Sequence, residues 1–424
     1  MKKIIYSVII ILLIVVTAIY ISLNYGDKKQ AISVLIDIDN VNDFNFKAHD
    51  SVLVAASFIY DANSFKNFMQ GEHYRDAWST PIKVPIVFLD TLHGGSEIVD
   101  VGGGKQTKSL ELKAGNGFIY TLRSINKNPK PLIPEFVEIL GLENIIIDGI
   151  SAQHPYGAIP VAHLAESVGL LHTNPKIVFL PKQEQLAEYN AEFGNKLFLL
   201  EYENKNKSNW TNFKNVTEII DTDHLIELKN EKGDTLKIDE ALLVKNRLFD
   251  LVIGDWDRHA KQWGWVIVKE ENNLKAIPLG VDRDNTFFNI DGIIPSIISN
   301  PNITKELRSF ENSIEHMSGL VQPFDCYFLI KTDSSIFIEQ AKILKDELTD
   351  DIIDGALNTW PKDIRELDGE IIREKIISRR DSIVKHAINF KQTIDKSGKF
   401  ENWPLKGCDD LKIKDSLKIC FECL

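Results

Sequence analysis

The chain has 424 residues, enough for two to three domains at roughly 150 residues each. Hydrophobic residues make up 44% and charged residues 26%, an ordinary globular mixture that excludes wholesale disorder, a collagen-like repeat and a polytopic membrane protein. A formal net charge of −12 argues against non-specific nucleic-acid binding, which needs a basic face, so no nucleic-acid partner is expected.

The first residues, MKKIIYSVIIILLIVVTAIYISLNYGDKKQ, carry an uncharged apolar run from Ile4 to Leu23. A run of about 20 residues at helical rise matches a hydrocarbon core of about 30 Å. A cleaved signal peptide has a shorter apolar run and a small-x-small site. The run therefore reads as an uncleaved signal anchor over 1–28, with the membrane as partner and a cleaved signal as the alternative. Lys2 and Lys3 favour a cytoplasmic N-terminus, which places the soluble portion outside the cytoplasm, on the periplasmic or extracellular face.

Residues 29–70 read as a stalk and cap segment. IKVPIVFLDTL (82–92) reads as a strand. The stretch 99–125 reads as strand, glycine turn, strand, a hairpin at Gly115-Asn116-Gly117, and a strand ending near Ser124. GAIPVAHLAESVGL (157–170) has helical spacing and stops at Gly169. PKIVFLP (175–181) and KLFLLEYEN (196–204) read as strands. IDEALLVKNRLFDLVIGD (238–255) reads as a helix capped by Asp239, and 269–288 as a hairpin. Further helices are expected at 335–349 and 370–394. The class is α+β: a β-rich lobe over 71–205 and a helical lobe over 206–400, followed by a Cys-containing tail over 401–424. Of the four cysteines, Cys408, Cys420 and Cys423 crowd that tail. A disulfide between Cys408 and one of the other two is expected in an oxidising compartment, with unpaired thiols as the alternative.

Three polar motifs carry chemistry. Gly102-Gly103-Gly104-Lys105-Gln106-Thr107-Lys108 sits between two predicted strands, where backbone N–H groups can form a concavity for phosphate oxygens. It lacks the Walker spacing, and an ordinary hairpin turn is the bland alternative. GDWDRHAKQW places Asp255, Asp257 and His259 directly after a helix, held between the apolar segments LFDLVI and WGWVIV. Asp282-Arg283-Asp284-Asn285-Thr286-Phe287 follows the strand-like AIPLGV, and a carboxylate there suits Mg²⁺ on a phosphate. Asp257 and Asp282 are 25 residues apart, a spacing that lets a hairpin return the second beside the first.

A phosphate-covering loop, a cation, an acceptor-facing carboxylate and metal ligands, in this order, are the parts of phosphoryl transfer. At these motifs the sequence resembles the atypical kinase-like superfamily: secretory-pathway, spore-coat H-type and HipA-type kinases and phosphatidylinositol 4-kinases. Asp257-Arg258-His259 is similar to their D-R/x-H-x-x-N-like catalytic loop, and Asp282 through Phe287 to their D-N-G-x-x-F or D-F-D-x-x-F metal motif. Over roughly 70–400 the chain also looks like a Bacteroidetes family sometimes fused to calcineurin-like phosphoesterase domains, through GEHYRDAW, GGGKQTKSL, SAQHPYGAIPVAHLAE and GDWDRHAKQW. The resemblance implies a two-lobed kinase-like fold, ATP or another nucleotide, and Mg²⁺ or Mn²⁺. It implies that Asp257, with His259 beside it, orients or deprotonates an acceptor. Asp282, helped by Asp284, would hold metal, with Gln262 in the place of the second ligand. Gly102, Gly103, Gly104 and Lys105 or Lys108 would cover phosphates. Arg123 would take the place of the nucleotide lysine, and Glu201 to Glu203 would lie between the lobes near the base. Gln262 replaces the usual Asn, Arg123 the usual Lys, and Glu166 is the helix 157–170 candidate for an ion pair.

The expected function is a phosphotransferase or nucleotidyltransferase acting on an unspecified protein, lipid or small-molecule acceptor. A non-catalytic kinase-like module at the membrane and a metal-dependent phosphoesterase using Asp255, Asp257, His259 and Asp282 are the alternatives. His154, His163 and His172 recur every nine residues, 2.5 helical turns apart, which argues against a shared metal. Trp256, Trp263 and Trp265 read as core anchors, Arg75 and Trp78 as a cap on the β-rich lobe, and Arg379-Arg380 as a solvated helix face.

Overall fold

The computed structural model describes residues 2–23, 32–38, 40–103 and 106–398. Helix α1 (Lys2–Leu23) opens the chain and is long and apolar enough to cross a membrane. Its last two residues, Ser22 and Leu23, are buried.

Strands β1 (Val34–Leu35), β2 (Ser51–Ala55) and, after helices α2 (Ser64–Gln70) and α3 (Arg75–Ser79), β3 (Ile82–Pro85) form an antiparallel sheet. The strand expected over 82–92 ends at Pro85, where the ring removes a ladder donor. Arg75 and Trp78 are buried. Arg75 clamps Asp148 with Nη1 and Nη2 at 2.8 and 2.5 Å, and Trp78 Nε1 donates to the Gln153 carbonyl at 2.9 Å.

A second, five-stranded antiparallel sheet is built from β4 (Ser96–Gly102), β5 (Ser109–Ala114) and β6 (Ile119–Ser124). Helices α4 (Glu135–Ile139), α5 (Glu143–Gly149) and α6 (Ala158–Ser167) follow, then β7 (Lys176–Leu180), α7 (Asn190–Phe193) and β8 (Lys196–Tyr202). The strand order is β4-β5-β6-β8-β7. Period-2 alternation divides its faces. Leu110, Leu112, Leu122, Phe198 and Leu200 bury one face in a core of their own, which leaves Ser109, Arg123, Leu199 and Glu201 on the other.

The second half begins with β9 (Val216–Asp221), α8 (Thr222–Lys232), β10 (Leu236–Ile238), α9 (Glu240–Ile253), β11 (Trp263–Glu270) and β12 (Asn273–Gly280). These strands make a four-stranded sheet, β10-β12-β11-β9; its β11–β12 hairpin lies earlier than the one expected over 269–288, with 281–288 forming a loop after it. Asp239 caps α9, its Oδ1 accepting from the Leu242 N–H at 3.0 Å. Helices α10 (Ile293–Ile298), α11 (Met317–Leu320), α12 (Pro323–Leu329), α13 (Ser334–Glu347), α14 (Asp350–Leu357) and α15 (Lys362–Ser397) complete it. α13 and α15 pack on α9, which is buried from Leu243 to Ile253. Trp263 and Trp265 are fully buried beside Phe324. The architecture is α+β: an apolar N-terminal helix, a sheet-rich first half and a helical second half that also carries a sheet. A parallel bridge between Leu171 and Leu279 brings the segment after α6 against β12.

Arg379 departs from its expected solvated position. It is buried, stacks on Phe310 and donates from Nη1 to the Leu251 carbonyl at 2.9 Å and from Nε to the Glu311 carbonyl. It thereby satisfies an end carbonyl of α9, which no residue within the helix can do. Arg380 pairs instead with Asp350. The tail carrying Cys408, Cys420 and Cys423, and with it the expected disulfide, lies outside the described residues; Cys326 is buried.

Candidate functional site

One wall of the site is the open face of the five-stranded sheet. Backbone register sets Gly102 opposite Ser109, and Ser109 opposite Arg123. Two interstrand steps of about 4.8 Å put the glycine turn roughly 10 Å from Arg123 at the same level. Gly103 has φ +125°, and a Cβ there would collide with the Thr107 carbonyl, so the turn requires glycine. Gly104 and Lys105 lie outside the described residues. Lys108 points to α7, pairing with Glu192 at 3.2 Å in solvent. On the neighbouring strand Glu201 faces Thr121, one step diagonal to Arg123, and accepts from Arg123 Nε at 3.1 Å. Thr173 donates to the other Glu201 oxygen, and Thr121 donates to Glu203.

The opposite wall is built by the ends of α9 and β12. Gly254, in the left-handed region at φ +72°, stops α9, where a side chain would strike Phe310 and Arg379. The loop that follows is held by Arg258, which is fully buried. Its Nε donates to Asp250 Oδ2 at 3.0 Å, its Nη1 to the Val281 carbonyl at 2.7 Å and its Nη2 to the Gln262 carbonyl at 3.0 Å. Arg283, from the second loop, donates to Asp250 Oδ1 at 3.0 Å. Arg247 joins Asp250 to Asp325. One buried carboxylate on α9 thus ties the 255–262 loop to the 282–287 loop. Burial raises the Asp250 pKa, but Arg258, Arg283 and Arg247 outweigh it and hold the carboxyl below its ordinary range.

Asp255 is buried and its Oδ1 accepts the Asp257 N–H at 3.2 Å, so it positions the backbone of Asp257. Burial pushes its pKa up to about 7, against the opposing pull of Arg258. Asp257 is half-buried, with His259 Nε2 3.9 Å from its Oδ1. His259 Nδ1 accepts the Lys261 N–H at 3.2 Å and so fixes its ring over the turn.

Asp282 sits at φ +52°, a strained backbone position for a non-glycine residue. Its Oδ2 accepts from Arg123 Nη1 at 3.2 Å, and the Gln262 side chain hydrogen-bonds the carboxylate. Its Oδ1 is buried and has no hydrogen-bond partner among the described residues. Lys127 Nζ lies 2.8 Å from Asp284 Oδ2. Burial raises the Asp282 pKa, but Arg123, Lys127 and Gln262 prevail and lower it. Burial and the adjacent Asp282 push Asp284 up. Burial works against the charge on Arg123, yet Asp282, Glu201 and Asp284 raise its pKa. The cleft between these walls is closed at the back by Ala158, Val161, His172 and Thr173. The motif's Phe287 anchors the loop from behind: it packs on Phe310 and Trp360, and its carbonyl accepts from the Tyr74 hydroxyl at 2.5 Å.

The donor set suits a hard divalent cation. Two carboxylates and a side-chain amide supply oxygen, and one buried carboxylate oxygen awaits a partner. Among the described residues no group of three or more His, Cys, Asp or Glu gathers as a complete cage.

Arg123, Glu201, Asp282, Asp284 and Gln262 therefore come together, with Asp257 and His259 on the adjoining loop. Glu203 lies just past the end of β8, and Lys108 is turned away. Glu166 makes no pair with Arg123; Glu201 takes that place, because diagonal neighbours on adjacent strands meet directly. Sequence reasoning missed Lys127 and Asp250, the partner of Arg283. Lys127 lies in the loop NKNPK, which shows no periodicity, and Asp250 looks like an ordinary position of an amphipathic helix. A charged residue inside the apolar run LFDLVI was the available signal.

No protein-family model matches the chain, and no curated protein matches it in sequence. Among solved structures it is similar to the Helicobacter pylori proinflammatory kinase CtkA, with a TM-score of 0.32 and 12% identity over 68% of this chain and 95% of that one. It is similar to Shewanella oneidensis MR-1 HipA, solved with HipB and operator DNA, with a TM-score of 0.33 and 10% identity over 70% and 68%. The Golgi casein kinase gives a TM-score of 0.30 and 12% identity over 89% and 95%. Two of these three neighbours are named as kinases, and at such TM-scores the shared structure is partial.

Proposed function

We propose that the protein is a nucleotide-dependent phosphotransferase or nucleotidyltransferase of the kinase-like superfamily. It is held at a membrane by α1, with its body on the non-cytoplasmic side and its lobes divided near residue 205. The observation that carries this reading is the unpartnered Asp282 Oδ1, beside Asp284 and Arg123 in one cleft, with Gln262 hydrogen-bonded to the same carboxylate. ATP is the nucleotide the reading implies, and Mg²⁺ or Mn²⁺ the metal. When bound, the ion neutralises charge on the phosphate oxygens. Asp282, Asp284 and Gln262 hold it. Arg123, kept in place by Glu201, and Lys127 supply cations to the phosphates once these displace their carboxylate partners. Asp257 orients the acceptor hydroxyl and accepts its hydrogen bond, with its backbone fixed by Asp255.

A binding module without catalysis is the second reading. The Arg123–Asp282 ion pair favours it, because the pair must open before a metal–phosphate unit can enter. The phosphoesterase reading draws less support, since Asp255 is committed to holding the Asp257 backbone.

The test is thermal unfolding of the full chain in detergent, with ATP, GTP or ADP and Mg²⁺ or Mn²⁺, for wild type and Asp282→Ala. A ligand at about 100 times its Kd adds roughly 2.7 kcal/mol of stability. A metal-dependent nucleotide shift that Asp282→Ala abolishes supports the transferase site. Absence of any nucleotide shift rejects it, and stabilisation by metal alone points to the hydrolase. Label from α- or γ-phosphate-labelled ATP then distinguishes nucleotidyl from phosphoryl transfer, and binding without transfer of either leaves the module.

A further inference from the structure

α1 does not end in a free tether. Tyr20 donates its hydroxyl to the Leu140 carbonyl at 2.6 Å, Gln70 Nε2 donates to Ser22 Oγ at 2.9 Å, and Asn144 Nδ2 donates to the Leu23 carbonyl at 3.1 Å. The grip falls on the last turn of a 22-residue helix, and about 20 residues are needed to cross the hydrocarbon. The elements that hold this turn therefore stand where α1 leaves the apolar layer, with no length of chain to separate them from it.

At that point three short helices leave apolar side chains uncovered. On α4 and its C-cap, Phe136, Ile139 and Leu140 are 63%, 76% and 50% exposed. On α2, Phe68 is 63% exposed and Phe65 39%. On α10, Ile297 is 58% exposed and Ile293 41%. Each set has i, i+3 or i+4 spacing and so shares one side of its helix. The helices are linked to α1: α2 packs against both α1 and α10, and Leu140, at the end of α4, is the partner of Tyr20. A scattered exposed side chain needs no explanation, but apolar sides on three short helices linked to one membrane-length helix do.

We propose that this collar is a second membrane contact: α2, α4 and α10 lie in the interfacial layer of the bilayer that α1 crosses, their apolar sides at the boundary between headgroups and acyl chains. The inference rests on reading α1 as a membrane span. Apolar area drives the contact, because α4 carries Glu135 and Glu138, and the only lysine of α2, Lys66, is buried against Asp148. The collar therefore seats on zwitterionic lipid and does not depend on anionic headgroups. It fixes the body, and with it the cleft, in one orientation to the bilayer.

The test uses the full chain in phosphatidylcholine nanodiscs. A photoreactive benzophenone amino acid replaces Ile11 on α1, Phe68, Ile139 or Ile297 on the collar, or Ile388 on α15, near the Phe390–Phe337 contact. Covalent lipid adducts are counted by mass spectrometry after illumination. Adducts at Ile11 and at all three collar positions, about tenfold above Ile388, are the expected result. Adducts at Ile11 with the collar at the Ile388 level overturn the collar and leave α1 as the span. No adduct at Ile11 overturns the span and the collar with it. Crosslinks from the collar to a second copy of the chain, in place of lipid, also overturn the proposal. The replaced collar positions are exposed, so folding is checked by an unchanged melting temperature.

Discussion

Asp282 and Arg283 are neighbours in the chain and enter two different kinds of charge cluster. Arg283 turns inward to Asp250, where Arg247, Arg258 and Asp325 complete a buried network with bonds to both carboxylates. Asp282 turns outward to a cleft where Arg123 and Lys127 face three carboxylates, Glu201, Asp282 and Asp284, and one buried oxygen has no partner. The first cluster is framework. The second carries an excess of negative charge and an open valence, which is the electrostatic condition for taking up a cation. Ion pairs alone do not mark a functional site: Arg283 Nη1 in the first cluster lacks a partner too, and the distinction lies in the balance of charge, three cations to two carboxylates in the first cluster and two to three in the second.

The sharpest way to break this comparison is Asp250→Ala. It leaves three buried guanidinium groups short of a carboxylate and is expected to cost about 3–5 kcal/mol. A melting curve checks it, and a change within error would show that the network is no framework. Arg379→Met removes the cap on the Leu251 carbonyl and the stacking on Phe310. Its expected cost is about 1–3 kcal/mol, again read by melting, with any nucleotide shift reduced because the 255–262 loop springs from that helix end.

Asp255 sharpens the comparison through pH. Burial holds its pKa near 7, so the native state keeps a proton that the unfolded chain loses above about pH 4. Its contribution to stability is fully present below that pH and is lost progressively as pH rises to about 7. In Asp255→Asn the decline of stability over this window should flatten; a profile identical to wild type would remove Asp255 from the account. The smallest effect is expected for Lys108→Ala, an exposed pair worth less than about 0.5 kcal/mol. Its nucleotide shift should equal that of wild type, and a lost shift would return Lys108 to the cleft.

Local chemistry was legible in the sequence where a short segment contains the whole signal. The Asp239 cap and the polar islands at 255–259 and 282–287 between apolar runs have this character. The partners of the charged residues were not legible. Arg123 meets Glu201 only because two strands distant in sequence pair, and Lys127 meets Asp284 across the cleft. Periodicity reports which face a residue occupies, not what lies opposite. Arg379 shows the cost of that limit. Paired basic residues on a helix normally mark a wet face, yet here one of the two lies in the core against the end of α9.

The shared carboxylate at Asp250 has a consequence for how such a site can change over generations. Arg258 and Arg283 use its two oxygens, so losing Asp250 strands both at once, while losing Arg283 takes the donor from Asp250 Oδ1 and losing Arg258 takes the donors from the Val281 and Gln262 carbonyls. No single substitution among the three leads to another well-satisfied core. Relatives of this chain that have drifted at one of these positions are expected to have drifted at the others, as a joint replacement by apolar residues of matching volume.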